Sequence, residues 1–184
     1  MFNFNDAEEQ KNSFLSPGIY TVKTTQIVDG KASTGADFIE WTIEDKSGVA
    51  CTNRFFLNTE VKNGSSKSAW DITKPAIVNA IAAINKCTFD EAKAKLPQAS
   101  SPQELASKLA TMTVGKIFDI RLSGEEILGK EGKNNWIKAK FNFAKGTVAP
   151  AGSNSLTFDA AKHVKKLTAP TTPGIHTSSA DVNW

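Results

Sequence analysis

The chain has 184 residues, which suits one domain with a proper core rather than two. Hydrophobic and charged fractions of 40% and 22% are those of a soluble globular protein, and no apolar run approaches the roughly 20 residues a membrane helix needs. The formal charge of +3 is unevenly spread: residues 1–70 carry 7 basic and 9 acidic side chains, and residues 71–143 carry 11 and 8.

The acidic start, MFNFNDAEEQKN, lacks an apolar segment of the secretory type, so a cytoplasmic location is expected. Ser16-Pro17-Gly18 then turns the chain into GIYTVKTTQIVD, where Tyr20 and Val22 alternate with Thr21, Lys23 and Thr25 as a first strand. A glycine-bounded loop at residues 30–35 carries Lys31. In ADFIEWTIED, Ile39, Trp41 and Ile43 oppose Phe38, Glu40 and Thr42. Trp41 reads as core, whereas Phe38 falls on the face away from it and is a candidate for stacking on a ligand. Ser47-Gly48 turns into VACTNRFFLN, in which Arg54 and Phe56 share one face and Asn53, Phe55 and Leu57 the other. Phe56 is placed outward because Arg54 shares its face; Phe56 buried beneath a solvated Arg54 is the alternative.

Between residues 71 and 112 the period becomes helical. Pro75 suits a first turn, and Ile77, Ile81 and Ile84 follow at helix spacing. Thr88-Phe89-Asp90-Glu91 has the capping-box form, and Ser101-Pro102-Gln103-Glu104 repeats it ahead of the stripe Leu105, Leu109 and Met112. Gly115 opens a long β-hairpin. Phe118, Ile120 and Leu122 alternate with Asp119, Arg121 and Ser123 in its first arm. Ile137, Ala139, Phe141 and Phe143 alternate with Trp136, Lys138, Lys140 and Asn142 in its second. The connection, residues 123–134, carries three glycines with Lys130 and Lys133. Beyond Lys145 the composition turns to Pro, Gly, Ser, Thr and Ala, with one helical candidate, LTFDAAKHVKKL, and an end, SSADVNW.

Catalytic chemistry finds little footing. His163 and His176 are the only histidines, and both fall in the expected tail. Gly129-Lys130 and Gly115-Lys116 lack the rest of a phosphate-binding loop, since Glu131 and Ile117 stand where Ser or Thr should be. Glu125 and Glu126 have no third carboxylate at metal-binding spacing, and Cys51 and Cys87 read as free buried thiols. A non-enzymatic protein without metal or cofactor is therefore expected.

The face of the second hairpin arm instead sets the Trp136 indole beside the ammonium groups of Lys138 and Lys140. That pairing suits a nucleic-acid strand, bases stacking on the ring and phosphates meeting the lysines. A charged edge strand kept solvated against sheet-to-sheet association is the competing account of the lysines. Trp136 could also lie beneath the helical segment or the tail. Arg121 has three candidate partners: Asp119, Glu125 or a phosphate.

Three strands, a helical insertion and two more strands is the chain order of an OB-fold, the five-stranded Greek-key barrel whose second and third strands and flanking loops bind oligonucleotides. The loops at residues 30–35 and 123–134 would be those flanking loops. Another kind of five-stranded barrel is the alternative. The division is an OB-fold domain at residues 1–146, with the helical insertion at about 71–113, and a flexible tail at residues 147–184.

FLSPGIYTVKTTQIVDG, FIEWTIEDKSGVACTNRFFL and VGKIFDIRL after a helical insert resemble the OB-fold single-stranded DNA-binding proteins of bacteriophages, over residues 14–143. The resemblance implies coating of single strands during replication, recombination and repair in a host cytoplasm. It also implies a C-terminal tail that docks partner proteins. Here Asp181 and Trp184 fit that role, but the tail holds only Asp159 and Asp181 against Lys145, Lys162, Lys165 and Lys166, a departure from the family's acidic tails. The strand-binding set is Lys23, Lys31, Phe38, Arg54, Phe56, Arg121, Lys130, Lys133, Trp136, Lys138 and Lys140. Residue types admit RNA as well as DNA, and a homo-oligomer is open. A β-barrel used in protein interaction or virion assembly is the alternative function.

Overall fold

A computed structural model describes residues 14–61, 64–127 and 136–167. The fold is mainly β. Strands β1 (Gly18–Lys31), β2 (Asp37–Asp45) and β3 (Ala50–Phe56) precede helices α1 (Ala69–Asn85), α2 (Phe89–Lys95) and α3 (Pro102–Thr113). Strands β4 (Ile117–Ile127) and β5 (Trp136–Lys140) follow, and then β6 (Val148–Pro150), α4 (Ala160–His163) and β7 (Val164–Lys165). The expected order of three strands, a helical insertion and two strands is thus present, with additions.

All seven strands belong to one sheet with the path β3-β2-β1-β4-β5; β6 and β7 also pair with β4. Pairing is antiparallel except for β7, which runs parallel to β4. Long β1 is shared: residues 18–23 pair with β4, and residues 22–31 pair with β2. Its ladder with β2 slips between Thr24 and Gln26, the kind of irregularity that bends a strand and increases its twist. Thr24 is buried at that point, accepts a hydrogen bond from Trp41 Nε1 (3.1 Å), and exchanges backbone bonds with Gly115 and Lys116.

No backbone ladder joins the outer strands of the path, β3 and β5, so the sheet is not closed. Side chains span the gap instead. Asn53 of β3 donates from Nδ2 to the Phe141 carbonyl (2.8 Å), and Asn79 of α1 does the same to the Phe143 carbonyl (2.8 Å). Phe55 stacks on Phe143 at 5.0 Å and 10°, and Trp41 meets the same ring edge-on at 4.8 Å. Here the structure departs from the expected second arm: β5 stops at Lys140, while Phe141 and Phe143 are buried. Amide side chains, rather than a neighbouring strand, receive those carbonyls, so burial persists where the ladder ends.

The helices start where short polar side chains satisfy their first amides. Ser68 and Asp71 form a reciprocal capping box, so α1 begins well before Pro75, which lies inside the helix rather than in its first turn. Thr88 and Glu91 form the expected box at α2. At α3 Ser101 accepts from the Glu104 amide, but the Glu104 carboxylate accepts from the amide (2.7 Å) and hydroxyl (2.6 Å) of Ser100 rather than from Ser101. Ile77, Ile81, Ile84 and Leu109 are buried in the common core with Ile39, Trp41, Ile43 and Phe118.

Residues 148–150 and 164–165 pair with β4, so residues 148–167 of the segment expected as a tail form a strap tied to the sheet at two places. Strands this short carry no readable period. Asp119, on β4, holds this segment through a bond from the Gly152 amide (2.8 Å), while its other oxygen accepts from Thr21 Oγ1 (2.6 Å).

Hydrogen bonds from the Lys108 ammonium, then from the side chain and backbone of Ser100, pull the Glu104 carboxyl down to about 2 from 4.5. A carboxyl depressed by folding stabilises the fold above its unfolded value and loses that contribution as pH falls towards the folded one. Glu104→Gln should therefore be less stable than the parent at neutral pH, the gap narrowing between about pH 4.5 and about pH 2 in urea titrations. A gap that does not change with pH contradicts this linkage.

Candidate nucleic-acid interface

Cross-strand register sets out the face turned away from the core. Phe38 lies opposite Phe56, Glu40 opposite Arg54, and Thr42 opposite Thr52, whose hydroxyl is 3.0 Å from that of Thr42. On β1, Lys23 lies opposite Glu44, Val28 opposite Glu40, and Gly30 opposite Phe38. Alternation thus puts Lys23, Phe38, Arg54 and Phe56 on one surface, as the sequence suggests. Phe55 is buried and Phe56 is 38% exposed, which settles the choice between those two rings.

Phe38 requires a correction. It occupies the outer face, yet it is only 6% exposed and presents no free ring for stacking. Gly30 allows the burial, because a Cβ there would come within 2.6 Å of two Phe38 ring atoms. The Arg54 guanidinium covers the ring at 4.6 Å from its centroid, and Phe56 packs against it edge-on at 5.9 Å and 71°. Phe38 is thus the floor on which Arg54 and Phe56 are set. Arg54 donates from Nε to Glu40 (2.8 Å), and its Nη groups have no hydrogen-bond partner among the described residues.

Ion pairs balance the charge over this part of the face, Lys23 with Glu44 (3.6 Å) and Arg54 with Glu40, whereas Lys31, next to Gly30, alternates to the opposite face and pairs there with Asp37 (3.4 Å). Lys31 ends β1 instead of sitting in a loop, so the connection to β2 contracts to residues 32–36, with Gly35 at φ +81. Exposed pairs of this kind contribute only ~0–1 kcal/mol, so a phosphate can displace their carboxylates at little cost. Beside Phe56 a cleft of about 430 Å³ is lined by Thr34, Asn58, Ser65 and Lys67, and the Asn58 Oδ1 is buried without a partner among the described residues.

On the hairpin, Trp136 is 50% exposed, so neither the helices nor the described strap buries it. Lys138 and Lys140 are exposed too, and Lys140 pairs with Glu125. Ile137, expected on the buried face, is exposed as well. Arg121 bonds neither Asp119 nor Glu125; its Nη1 donates to the Thr157 carbonyl (3.2 Å). Lys138 lies close enough to influence the Cys51 thiol, although burial dominates and pushes that thiol upward. Asn53 of β3 reaches the Phe141 carbonyl and Phe55 stacks on Phe143, so the chain just beyond β5 lies beside β3.

Lys130, Lys133, His176, Asp181 and Trp184 lie outside the described residues. His163 accepts at Nδ1 from the Asp159 amide (2.9 Å) and lies against Phe158, so it serves the local fold of α4. Among the described residues, no three His, Cys, Asp or Glu side chains gather as metal ligands, and no helix is long and apolar enough to cross a membrane. What the surface offers is stacking area, hydroxyls and cations.

The different burial of the two rings has a direct consequence for stability. Phe38→Ala should cost about 3–5 kcal/mol in urea unfolding, as for a core ring, and Phe56→Ala under about 1 kcal/mol. Equal costs would contradict the assignment of floor and exposed ring. No protein-family model matches this chain, and no curated protein matches its sequence.

Proposed function

We propose that the chain binds single-stranded nucleic acid with little sequence preference, on an OB-type barrel whose gap between β3 and β5 is spanned by side chains. The observation that carries this reading is the pairing of an exposed ring with a cation at two separated places on one surface: Phe56 with Arg54, and Trp136 with Lys138. Bases stack on the rings, phosphates meet the cations, and no bond is made or broken. Stacking is indifferent to base identity because every base has a π-face. The Thr42 and Thr52 hydroxyls lie along β2 and β3 between the turn at residues 46–49 and Phe56, and the cleft beside Phe56 gives a stacked base room. Protection of single strands in phage-type replication, recombination or repair is the corresponding biological role.

An assembly or protein-interaction role is the second reading. It draws on an apolar groove of about 720 Å³ between α1, α2 and residues 142–145, where Ile72 and Phe89 are exposed. Such a role gives salt-tolerant association and no response to oligonucleotides.

Titration with a poly-thymidine oligomer, followed by tryptophan fluorescence at several salt concentrations with duplex competitor, separates the two. Binding should weaken steeply with salt as counterions are released, and duplex should compete poorly. Phe56→Ala and the double change Trp136→Ala with Lys138→Ala should each lose roughly 1–3 kcal/mol of affinity while the protein stays folded. Unchanged fluorescence with no gel shift at low salt would overturn the reading.

A further inference from the structure

Taking the single-strand reading as its basis, we infer that the strap contributes its end, α4 and β7, to the binding surface, with Lys165 as its phosphate contact. Glu125 of β4 is flanked in register by Lys138 of β5 on one side and by Lys165 of β7 on the other. Lys140 completes the group by pairing with Glu125.

The direction of these side chains follows from the neighbouring glycine. A Cβ on Gly124 would meet Ile137 Cγ2 at 2.8 Å, Val164 Cγ1 at 3.3 Å and Pro17 Cγ at 2.6 Å, so Ile137 and Val164 share that face. Their neighbours Lys138 and Lys165 therefore emerge with Glu125 on the opposite face. Lys138, Lys140 and Lys165 thus share that face with Glu125, and Lys140 pairs with it. Neither Lys138 nor Lys165 forms an ion pair among the described residues, which leaves an excess of positive charge there. Over β1 to β3, by contrast, each lysine or arginine of the face has its own carboxylate.

Lys165 is also held in place before any ligand arrives. The strap is fixed by the bond from the Gly152 amide to Asp119, by Arg121 to the Thr157 carbonyl, and by the Leu167 amide to Glu126 (3.0 Å). Asp159 caps α4 through the Ala161 amide (3.0 Å). Anchoring of this kind removes the ordering cost that a lysine on a loose segment would carry. A polyanionic strand stacked on Trp136 and paired to Lys138 has its next cation across β4, at Lys165. Continuity with that ring and the uncompensated charge together favour a phosphate backbone as the occupant.

The test compares Lys165→Gln, Lys165→Arg and, as a control away from the row, Lys162→Gln, whose parent side chain pairs with Asp159 (3.6 Å). Poly-thymidine affinity is measured against salt for each. Lys165→Gln should bind about three- to fivefold more weakly at low salt and reduce the slope of log affinity against log salt by about 0.7, the loss of one phosphate contact on a single strand. Lys165→Arg and Lys162→Gln should match the parent. If the parent binds and Lys165→Gln keeps its affinity and slope, the strap inference falls and the single-strand reading stands. If the parent does not bind at low salt, both fall. A deficit in Lys165→Arg equal to that of Lys165→Gln would mean that the strap was perturbed rather than a charge lost, and also counts against the inference.

Discussion

The two outer strands of the sheet path are brought together by rings and amide side chains, and the outer surface depends on how that gap is spanned. Phe55 of β3 stacks on Phe143, Phe143 meets the edge of Trp41, and Asn53 and Asn79 take the carbonyls that a continued β5 would have given to a neighbouring strand. Because Phe141 and Phe143 turn inward, Trp136, Ile137, Lys138 and Lys140 just before them are left exposed. Burying these rings is favourable, but an unmatched carbonyl in the same place would offset much of the gain. The two asparagines remove that penalty. This is why the segment can leave the ladder without leaving the core.

On the outside, a second local arrangement fixes the chemistry. Phe38 lies over Gly30 as a covered floor, and Arg54 and Phe56 are set against it, which limits the motion of the groups proposed to meet the ligand. Charge over β1 to β3 is balanced pair by pair, whereas the β7-β4-β5 row has more cations than carboxylates. The proposed roles divide accordingly, with stacking and hydroxyl contacts over β2 and β3 and phosphate capture at the hairpin and the strap.

Alternation in the sequence identifies which residues share a face, and it does so correctly for Phe38, Arg54 and Phe56, and for Trp41 within the core. It does not report coverage. Phe38 is buried on an outer face because the residue opposite is glycine, a fact of register that no single strand contains. Ile137 shows the converse, an apolar residue at an inward position with little to cover it. Helix starts at Thr88 and Ser101 are legible because capping depends on spacing along the chain, while the earlier start of α1 at Ser68 is missed when Pro75 is taken as the first turn. The strap is the largest omission. Its strands are three and two residues long, its composition is that of a loop, and its anchors, Asp119, Arg121 and Glu126, lie in β4, far away in sequence. Lys165 has no distinguishing neighbour along the chain; its place beside Glu125 exists only in the folded sheet.

On the proposed reading, one outer surface, from Phe56 across to Trp136 and Lys138, carries a single strand. Amide chemical-shift mapping of the isotope-labelled protein during titration with a thymidine oligomer of about 12 nucleotides, within the usual range of single-strand site sizes, tests this. Perturbations should concentrate at Thr42, Thr52, Arg54, Phe56, Trp136 and Lys138, with Ile72 and Phe89 unchanged. Perturbations centred on Ile72 and Phe89, or none at saturating oligomer, would contradict it.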